Sequence, residues 1–364
     1  MEKQKQPKEN GAGAWLSLAD LAIPDLRLPP IQCPFPSAVS PHAEAVHQHT
    51  LAWVERHALV TDGRALERLR ASKFGWLAAR AYPRAALDRL AIVSDWNTWL
   101  FMIDDLCDEH GIGPQRLTTV HAKCLQVLAG GKPEPRDPAT AQFPPRERRS
   151  GEERSDLSLL RALEDLRERL QALVACDWMA RFVHSVSEYF ESSVWEAENR
   201  AHGRWPEPAT YIRMRPYTGG LYTDIELIEP VERITLPLAV RKHPHLQRLA
   251  LITNNVVCWS NDVISLQKEH AHHDRHNLAL IFHRHYGLTI EEAVNRVVKR
   301  TEAQMRHFVA LESCMPSFGA GLDAGVRRFV AVLRAWMRGN LDWSYESGRY
   351  GQAGLACSRS NQAS

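Results

Sequence analysis

The chain has 364 residues, 44% of them hydrophobic, which is enough for one large or two medium-sized buried cores. Its 45 basic and 43 acidic residues leave a net charge of +2, which excludes a strong overall field that would recruit nucleic acid or an anionic membrane. The seven cysteines lack CxxC spacing, which argues against a disulfide framework or a zinc site. With no signal-peptide core and no run of roughly 18 apolar residues, the sequence predicts a soluble, cytoplasmic protein without stable membrane insertion.

The N-terminal segment is predicted to lie outside a helical body. Residues 1–10 are polar, which predicts disorder, and the prolines between Leu26 and Pro41 indicate an extended arm over a domain. From Ala43 onward apolar residues recur at three- and four-residue spacing, which predicts an all-α fold. The expected divisions are an arm over 1–41, one helical domain over 42–350 and a disordered tail over 351–364.

An acidic motif ends the first strongly apolar helix, WNTWLFMIDDLCDEH, at Trp96–His110. Asp104 and Asp108 are four residues apart and share a helix face, with Asp105 beside them. Carboxylate oxygens are hard ligands that suit Mg²⁺. The motif therefore predicts a metal site at the rim of an apolar pocket, with a solvated helix end as the alternative. The additional acid Glu109 leaves open which carboxylates beyond Asp104 bind the ion.

The next two segments contain no candidate catalytic or binding residues. Between Gly130 and Asp156 the sequence loses its periodicity and gathers proline and charge, which predicts a flexible surface insertion. After it, leucines spaced for one helix face predict a core-packing helix. These residues are Leu159, Leu160, Leu163, Leu166, Leu170, Leu173 and Val174.

The segment YIRMRPYTGGLY is predicted to contain a helix break. Pro216, followed by Gly219 and Gly220, disrupts helical hydrogen bonding. A plain turn between helices would explain the same residues. Arg215 precedes the break, and its guanidinium suits forked contact with phosphate.

An amide-rich motif lies at Thr253–Glu269, TNNVVCWSNDVISLQKE. Asn261, Ser265 and Glu269 fall at i, i+4 and i+8, so an amide, a hydroxyl and a carboxylate oxygen line one helix face. Three such oxygens form a chelate for a hard divalent ion, and Lys268 beside them could bind phosphate. The apolar neighbours of this stripe argue against an ordinary solvated helix face.

Histidines after this motif allow a different interpretation. His272, His273, Asp274 and His276 could belong to a His-Asp metal phosphohydrolase, although the further histidines are not spaced for it and a polar loop explains the cluster. A non-catalytic helical binding protein is the other alternative. It would leave the two oxygen-ligand motifs and the phosphate-suited cations unexplained.

The paired motifs DDLCDE and NDVISLQKE resemble the aspartate-rich and NSE metal motifs of microbial class I terpene synthases. Arg215 lies 46 residues before Asn261, the offset at which that family places a pyrophosphate-sensing arginine. Arg349 and Tyr350, in LDWSYESGRY, resemble the family's C-terminal Arg-Tyr pair. The resemblance covers roughly Pro34–Tyr350 and implies one α-domain, a helical bundle around a deep apolar pocket.

This resemblance implies roles for individual residues. The metal ligands, for three Mg²⁺ ions, would come from Asp104, Asp105, Asp108, Asn261, Ser265 and Glu269. The diphosphate-binding residues would be Arg215, Lys268, Arg349 and Tyr350. Gly219 would supply an effector carbonyl and Thr218 the linker, a position where relatives often have aspartate.

Aromatic faces stabilise a carbocation without offering a nucleophile. Phe101, three residues before Asp104, and Trp343, six before Arg349, are the predicted candidates. The other tryptophans are expected to be core residues.

The implied activity is Mg²⁺-dependent ionisation and cyclisation of a prenyl diphosphate with release of diphosphate. Farnesyl diphosphate, giving a sesquiterpene, is the first expectation, followed by geranylgeranyl diphosphate and then geranyl diphosphate. The resemblance is also compatible with a homodimer. No nucleic-acid partner is expected.

Overall fold

A computed structural model of the chain describes residues 26–108, 112–132 and 151–350. These residues are helices joined by short connections, which confirms the all-α prediction. No helix within these ranges combines the length and apolarity that a bilayer crossing requires. The predicted disorder of residues 1–10 and of the tail 351–364 lies outside the described residues, as do Glu109 and most of the predicted insertion.

The helices follow one another along the chain as α1 (Ala43–Arg56), α2 (Gly63–Ser72), α3 (Phe74–Ala81), α4 (Leu87–Asp108), α5 (Pro114–Leu128), α6 (Gly151–Gln171), α7 (Cys176–Ala201), α8 (Pro208–Thr218), α9 (Leu221–Glu232), α10 (Leu238–Arg241), α11 (Pro244–Ile264), α12 (Leu266–Ala271), α13 (Leu278–Tyr286), α14 (Ile290–Ser313) and α15 (Ala320–Glu346), with a 3-10 turn at Gly348–Tyr350.

The central helix is α11, which packs against both α14 and α15. Apolar and small polar side chains occupy nearly all its faces, and helices of that composition are buried in the interior of large domains. Its Trp259 is 1% exposed. Because α11 runs through the core, its C-terminal end brings the amide-rich motif against the cavity described below.

The segment before α1 is non-helical over residues 26–40 and lies on the helical body. Ile31 and Phe35 are buried, and the Phe35 ring meets Phe308 of α14 edge-on at 5.6 Å. The backbone N–H of Ser40 donates to the carbonyl of Ala79 at 2.9 Å. An arm with these anchors packs into the core, although the division at residue 41 stays a prediction.

Helix α6 begins at Gly151, inside the segment for which the sequence predicts a loop up to Asp156. That part of the prediction is wrong. Asp156 is buried and pairs with Arg116 of α5 at 2.8 Å, so charges that suggested a solvated loop are satisfied against a neighbouring helix. The leucine stripe from Leu159 to Leu170 is buried as predicted, but the helix ends at Gln171, before Leu173 and Val174.

Candidate active site

A main cavity opens between α3, α4, α7, α11, α15 and the junction of α8 with α9. Leu77, Leu100, Val257 and Trp336 give it apolar walls. A smaller cavity adjoins it at the mouth and is lined by residues from both predicted metal motifs. From the motifs these are Asp104, Asn261, Ser265, Lys268 and Glu269, and the C-terminal pair Arg349 and Tyr350 lines the same cavity. The residues that the two cavities share include Phe101, Asp104, Asn261, Glu269 and Tyr350.

One side of the mouth is the aspartate wall, formed by Asp104 and Asp105 near the end of α4 together with Arg349. The guanidinium of Arg349 donates to both carboxylate oxygens of Asp105, at 2.8 and 3.1 Å. The ammonium of Lys268 lies 3.8 Å from the same carboxylate. Thus two of the predicted diphosphate-binding cations meet on one predicted metal ligand. The side chain of Asp108 lies outside the described residues.

The other side is the amide wall, formed by Arg215, Asn261, Ser265 and Glu269. The sequence predicts one continuous helix here, but α11 ends at Ile264 and α12 begins at Leu266. The helical register is nevertheless kept, because Ser265 N donates to the carbonyl of Asn261 at 2.8 Å and Glu269 N to that of Ser265 at 2.9 Å. The three oxygen ligands therefore stay on one face, as predicted.

Hydrogen bonds fix each member of the amide wall. The side-chain amide oxygen of Asn261 accepts from Arg215 Nη2 at 2.9 Å, and the side-chain amide nitrogen of Asn261 donates to the Tyr350 phenol oxygen at 2.9 Å. The Ser265 hydroxyl lies 2.6 Å from Glu269 Oε1, and Asn277 Nδ2 donates to Glu269 Oε2 at 2.7 Å. Tyr350 thereby joins the C-terminal end of the described chain to the amide wall.

Asp262 is a site residue that the sequence reasoning missed. Its fully buried carboxylate accepts from Arg215 Nε at 2.9 Å and from the Tyr211 phenol at 3.0 Å. Burial opposes the charge of Arg215, but Asp262 more than offsets this and raises the guanidinium pKa well above its ordinary value. Asp262 directly follows Asn261 and so points away from the oxygen stripe. Its partner, Arg215, lies on α8 and becomes evident only from the packing of α8 on α11.

The predicted break lies at the α8–α9 junction. Helix α8 ends at Thr218, and Gly220 adopts a φ of +68°, a conformation that favours glycine. Pro216 stays inside α8, and its carbonyl accepts from the side chain of Asn254 at 2.8 Å. A Cβ atom at Gly219 would lie 2.3 Å from Cys258 Sγ. Only glycine therefore fits at the position predicted to supply the effector carbonyl.

The two predicted aromatic residues differ in placement. Phe101 lines both cavities. Its ring stacks on the ring of Phe74 with the two centroids 4.5 Å apart, and the Arg349 guanidinium lies 4.5 Å from the Phe101 ring centroid. Trp343 is 1% exposed and lines neither cavity. Its indole N–H lies 2.8 Å from the carbonyl of Ser72, and its ring packs behind Phe101 at 5.7 Å. The structure thus places Trp343 behind Phe101, and of these two predicted rings Phe101 is the one that lines the cavities.

The histidine cluster is held by ion pairs and hydrogen bonds. His276 Nδ1 lies 2.9 Å from Asp274, whose other oxygen is 3.4 Å from Arg200. Burial disfavours the Asp274 carboxylate, but His276 and Arg200 together hold its pKa below the usual range. His272 Nδ1 contacts the carbonyl of Lys268 at 2.8 Å. These contacts use the Nδ1 atoms of His272 and His276 within the loop that follows Glu269.

The charges of the mouth fit a bound cation. Burial and the neighbouring Asp105 raise the pKa of Asp104 to about 6, and burial with the charges of Asp262 and Asp274 raises that of Glu269 to about 8. Carboxylates in this state gain from a further positive charge. In the described ranges no three acidic, histidine or cysteine side chains converge. Each wall thus offers part of a coordination sphere, as suits an ion that keeps waters and binds substrate oxygens.

Comparison with known proteins agrees with this geometry. A family model described as terpene synthase family 2, C-terminal metal binding, matches residues 95–307, more than half of the chain. The (+)-T-muurolol synthase of Roseiflexus castenholzii is 39% identical over 87% of this chain and 92% of its own length. The chain belongs to the class I terpene synthases. The germacrene A synthase of Nostoc punctiforme is 34% identical over 87% of this synthase and 93% of its own length.

Solved structures extend the comparison to the fold. The linalool/nerolidol synthase of Streptomyces clavuligerus superimposes with a TM-score of 0.72 at 28% identity, covering 86% of this synthase and 100% of that chain. The family predicted from the sequence is confirmed, and with it the class I fold and enzyme class. The synthase accordingly uses a divalent metal and a prenyl diphosphate, which excludes the binding-protein and phosphohydrolase interpretations.

Proposed function

We propose that this synthase ionises (2E,6E)-farnesyl diphosphate with Mg²⁺ and cyclises the cation to a sesquiterpene. The observation that carries the proposal is the mouth cavity, in which the oxygen ligands of both walls and the cations Lys268 and Arg349 face one another. The T-muurolol synthase relative is named for cyclising (2E,6E)-farnesyl diphosphate, which supports the C15 chain length.

The proposed metal ligands are Asn261, Ser265 and Glu269 on the amide wall and Asp104 on the aspartate wall, with Asp105 and Asp108 as further candidates. Bound Mg²⁺, three ions by family resemblance, would neutralise the negative charge that develops on the diphosphate. The fit rests on the hard oxygen donors and on the two carboxyl groups whose charge is disfavoured by burial.

The protein's own cations complete the diphosphate site. Arg215, fixed by Asp262, presents its remaining N–H groups toward the cavity side of the Asn261 amide. Lys268 and Arg349 both contact Asp105, and a diphosphate that replaces this carboxylate as their partner gains charge-assisted hydrogen bonds. Burial raises the pKa of Tyr350 to about 12, so its phenol keeps the proton that it can donate. Gly219 at the α8–α9 junction lines the main cavity and would supply the effector carbonyl.

The apolar cavity behind the mouth then excludes water from the cation. Leu77, Leu100, Val257 and Trp336 offer no nucleophile. The guanidinium of Arg349 covers one face of the Phe101 ring. That face becomes available to a cation when the guanidinium turns toward the diphosphate. Homodimerisation and a cytoplasmic location stay predictions.

The test is incubation of the purified synthase with C10, C15 and C20 diphosphates, with Mg²⁺ or with EDTA, followed by gas chromatography with mass detection. We expect Mg²⁺-dependent cyclic C15 products. Cyclic products from the C20 substrate alone would replace the substrate assignment. No product from any chain length, with the protein folded, would overturn the proposed function.

A binding measurement tests the metal site without turnover. Mg²⁺ with inorganic diphosphate is expected to raise the melting temperature, because ligands that bind only the folded state stabilise it. The increase should be absent from Asn261→Leu, which removes an oxygen ligand. An equal increase in both proteins would refute the proposed ligand set.

A further inference from the structure

One buried carboxyl group in the main cavity has no role in the reaction described so far. Asp224 lies in the first turn of α9, directly after the Gly219–Gly220 break, and is 3% exposed. It lines the main cavity and is not among the residues that line the mouth. The mouth shares Asp104, Asn261 and Glu269 with the main cavity but not Asp224. A substrate whose diphosphate is held at the mouth would therefore bring its hydrocarbon part toward Asp224.

Asp224 differs from the other buried acids of the described ranges. Five of these pair with arginine: Asp95 with Arg169, Asp156 with Arg116, Glu229 with Arg181, Glu232 with Arg328 and Asp262 with Arg215. No cationic side chain of the described residues acts on Asp224, and burial alone raises its pKa well above the usual range. Burial without a cationic partner thus favours the neutral, protonated form of this carboxyl group.

Neutral contacts hold this carboxyl group in place. One polar atom of the Asn97 side-chain amide on α4 lies 3.0 and 3.2 Å from the two carboxyl oxygens of Asp224; as the amide oxygen it accepts the proton of the acid, and as the amide nitrogen it donates to the carboxylate. The Tyr82 phenol donates to the main-chain carbonyl of Asp224 at 2.7 Å and so anchors the turn that carries it. Asn97 also lines the main cavity. The pair is a fixed polar group in a cavity whose lining also includes the apolar side chains of Leu77, Leu100 and Trp336.

The neutral state matters for a cavity that holds carbocations. A carboxylate would be a nucleophile there and would trap the cation as an ester, whereas a carboxylic acid is a weak nucleophile and a proton donor. Burying a polar group without a cation is costly, so a bare packing role would be filled better by leucine. A carboxylic acid kept neutral by an apolar site can serve as a hydrogen donor in catalysis.

We propose that Asp224 is the proton donor of the cyclisation cavity and reprotonates a neutral cyclic olefin, which forms when the released diphosphate takes a proton from the first cyclic cation and keeps it on leaving. The olefin π pair forms a C–H bond to the acid proton, the O–H pair stays on the carboxyl oxygen, and a new carbocation results. The Asn97 amide stabilises the carboxylate formed. After further ring closure, the carboxylate takes a proton from the carbon beside the cation, whose C–H pair becomes a C=C bond. The acid is thereby restored without another reactant.

This inference rests on the proposed function, and isotope labelling separates the two. The synthase is equilibrated in D₂O, so that Asp224 carries deuterium, and is used in excess over substrate for a single turnover, whose cyclic C15 product should contain one carbon-bound deuterium that is absent in H₂O. Formation of a product tests the proposed function, while its deuterium content tests Asp224. A cyclic product from D₂O without carbon-bound deuterium would overturn the role of Asp224 alone. No terpene product would overturn both.

Asp224→Asn keeps the shape but removes the acid. We expect its products to contain about 100-fold less deuterium and to shift to olefins with fewer rings, as expected for loss of a general acid. Diphosphate release should change by less than about threefold, because ionisation takes place at the mouth. Undiminished deuterium, or equal loss of diphosphate release and of labelling, would contradict the proposal.

Two further variants protect this test against misfolding. Asn97→Leu leaves the acid but removes the donors that stabilise its carboxylate, so labelling should fall by about tenfold. Asp177→Asn makes the same chemical change on the exposed surface of α7, where the carboxylate is 81% exposed, and should label like the parent enzyme. If Asn97→Leu labels fully, the Asp224–Asn97 pair is not the proton source.

Discussion

Both walls of the mouth hold predicted oxygen ligands in an apolar setting, but they do so in different ways. On the amide wall, Arg215 has a fully buried counter-ion in Asp262, which is not a predicted ligand, and Asn261 and Glu269 are held in place by hydrogen bonds from Arg215 and Asn277. On the aspartate wall, Arg349 and Lys268 use Asp105, a predicted ligand, as their partner. The first wall is preorganised, whereas the second must exchange partners when diphosphate and metal bind.

The sharpest test of the preorganised wall is Asn261→Leu. It removes an oxygen ligand and leaves Arg215 Nη2 and the Tyr350 phenol without their partner, so kcat/KM should fall by about 10²- to 10³-fold. Steady-state kinetics on farnesyl diphosphate measures this. Asn295→Leu, the same change on the exposed face of α14, is the control and should retain activity. Full turnover by Asn261→Leu would refute the metal assignment.

Gly219→Ala tests how closely the α8–α9 junction is packed on the amide wall. The added Cβ would approach Cys258 Sγ to 2.3 Å, and relief of this overlap should cost about 1–3 kcal/mol of unfolding free energy. Urea denaturation measures the loss.

The double variant Gly219→Ala with Cys258→Ala removes the sulfur and serves as the internal control. It should recover most of the stability relative to Cys258→Ala alone. If Gly219→Ala is as stable as the parent, the junction is not held by this contact.

Arg349→Lys tests the exchangeable wall. Lysine keeps the charge but cannot contact both oxygens of a carboxylate or phosphate in a fork, so KM should rise by about tenfold with a smaller fall in kcat. Arg338→Lys, which alters an ion pair within α15, is the matched control. An unchanged KM would indicate that Arg349 remains with Asp105 during turnover.

The smallest effect is expected from Trp343→Phe. The ring remains behind Phe101, while the hydrogen bond from the indole N–H to Ser72 is lost, which should cost about 1 kcal/mol of unfolding free energy. Denaturation and product analysis together measure the outcome. A large change in products with unchanged stability would return Trp343 to the role of a cation-stabilising ring.

Much of the fold and site follows from local pattern. Helical periodicity indicates an all-α domain, and the break at Gly219–Gly220 follows from backbone chemistry, because proline and glycine act within their own turn. The stripe of Asn261, Ser265 and Glu269 follows from the helix repeat alone. Resemblance then pairs this stripe with Asp104 and with Arg215. Apart from that pairing, which rests on resemblance, each of these features depends on residues close together in the chain.

Only the tertiary structure decides which residues are partners across the chain. The pairing of Arg349 with Asp105, the fixing of Arg215 by Asp262 and the layer in which Trp343 lies depend on how helices pack, which sequence spacing does not encode. The start of α6 within a charged segment is set by Arg116 on another helix. Asp224 stands among ordinary helix residues in the sequence, and only burial beside Asn97 in the cavity makes it a neutral acid.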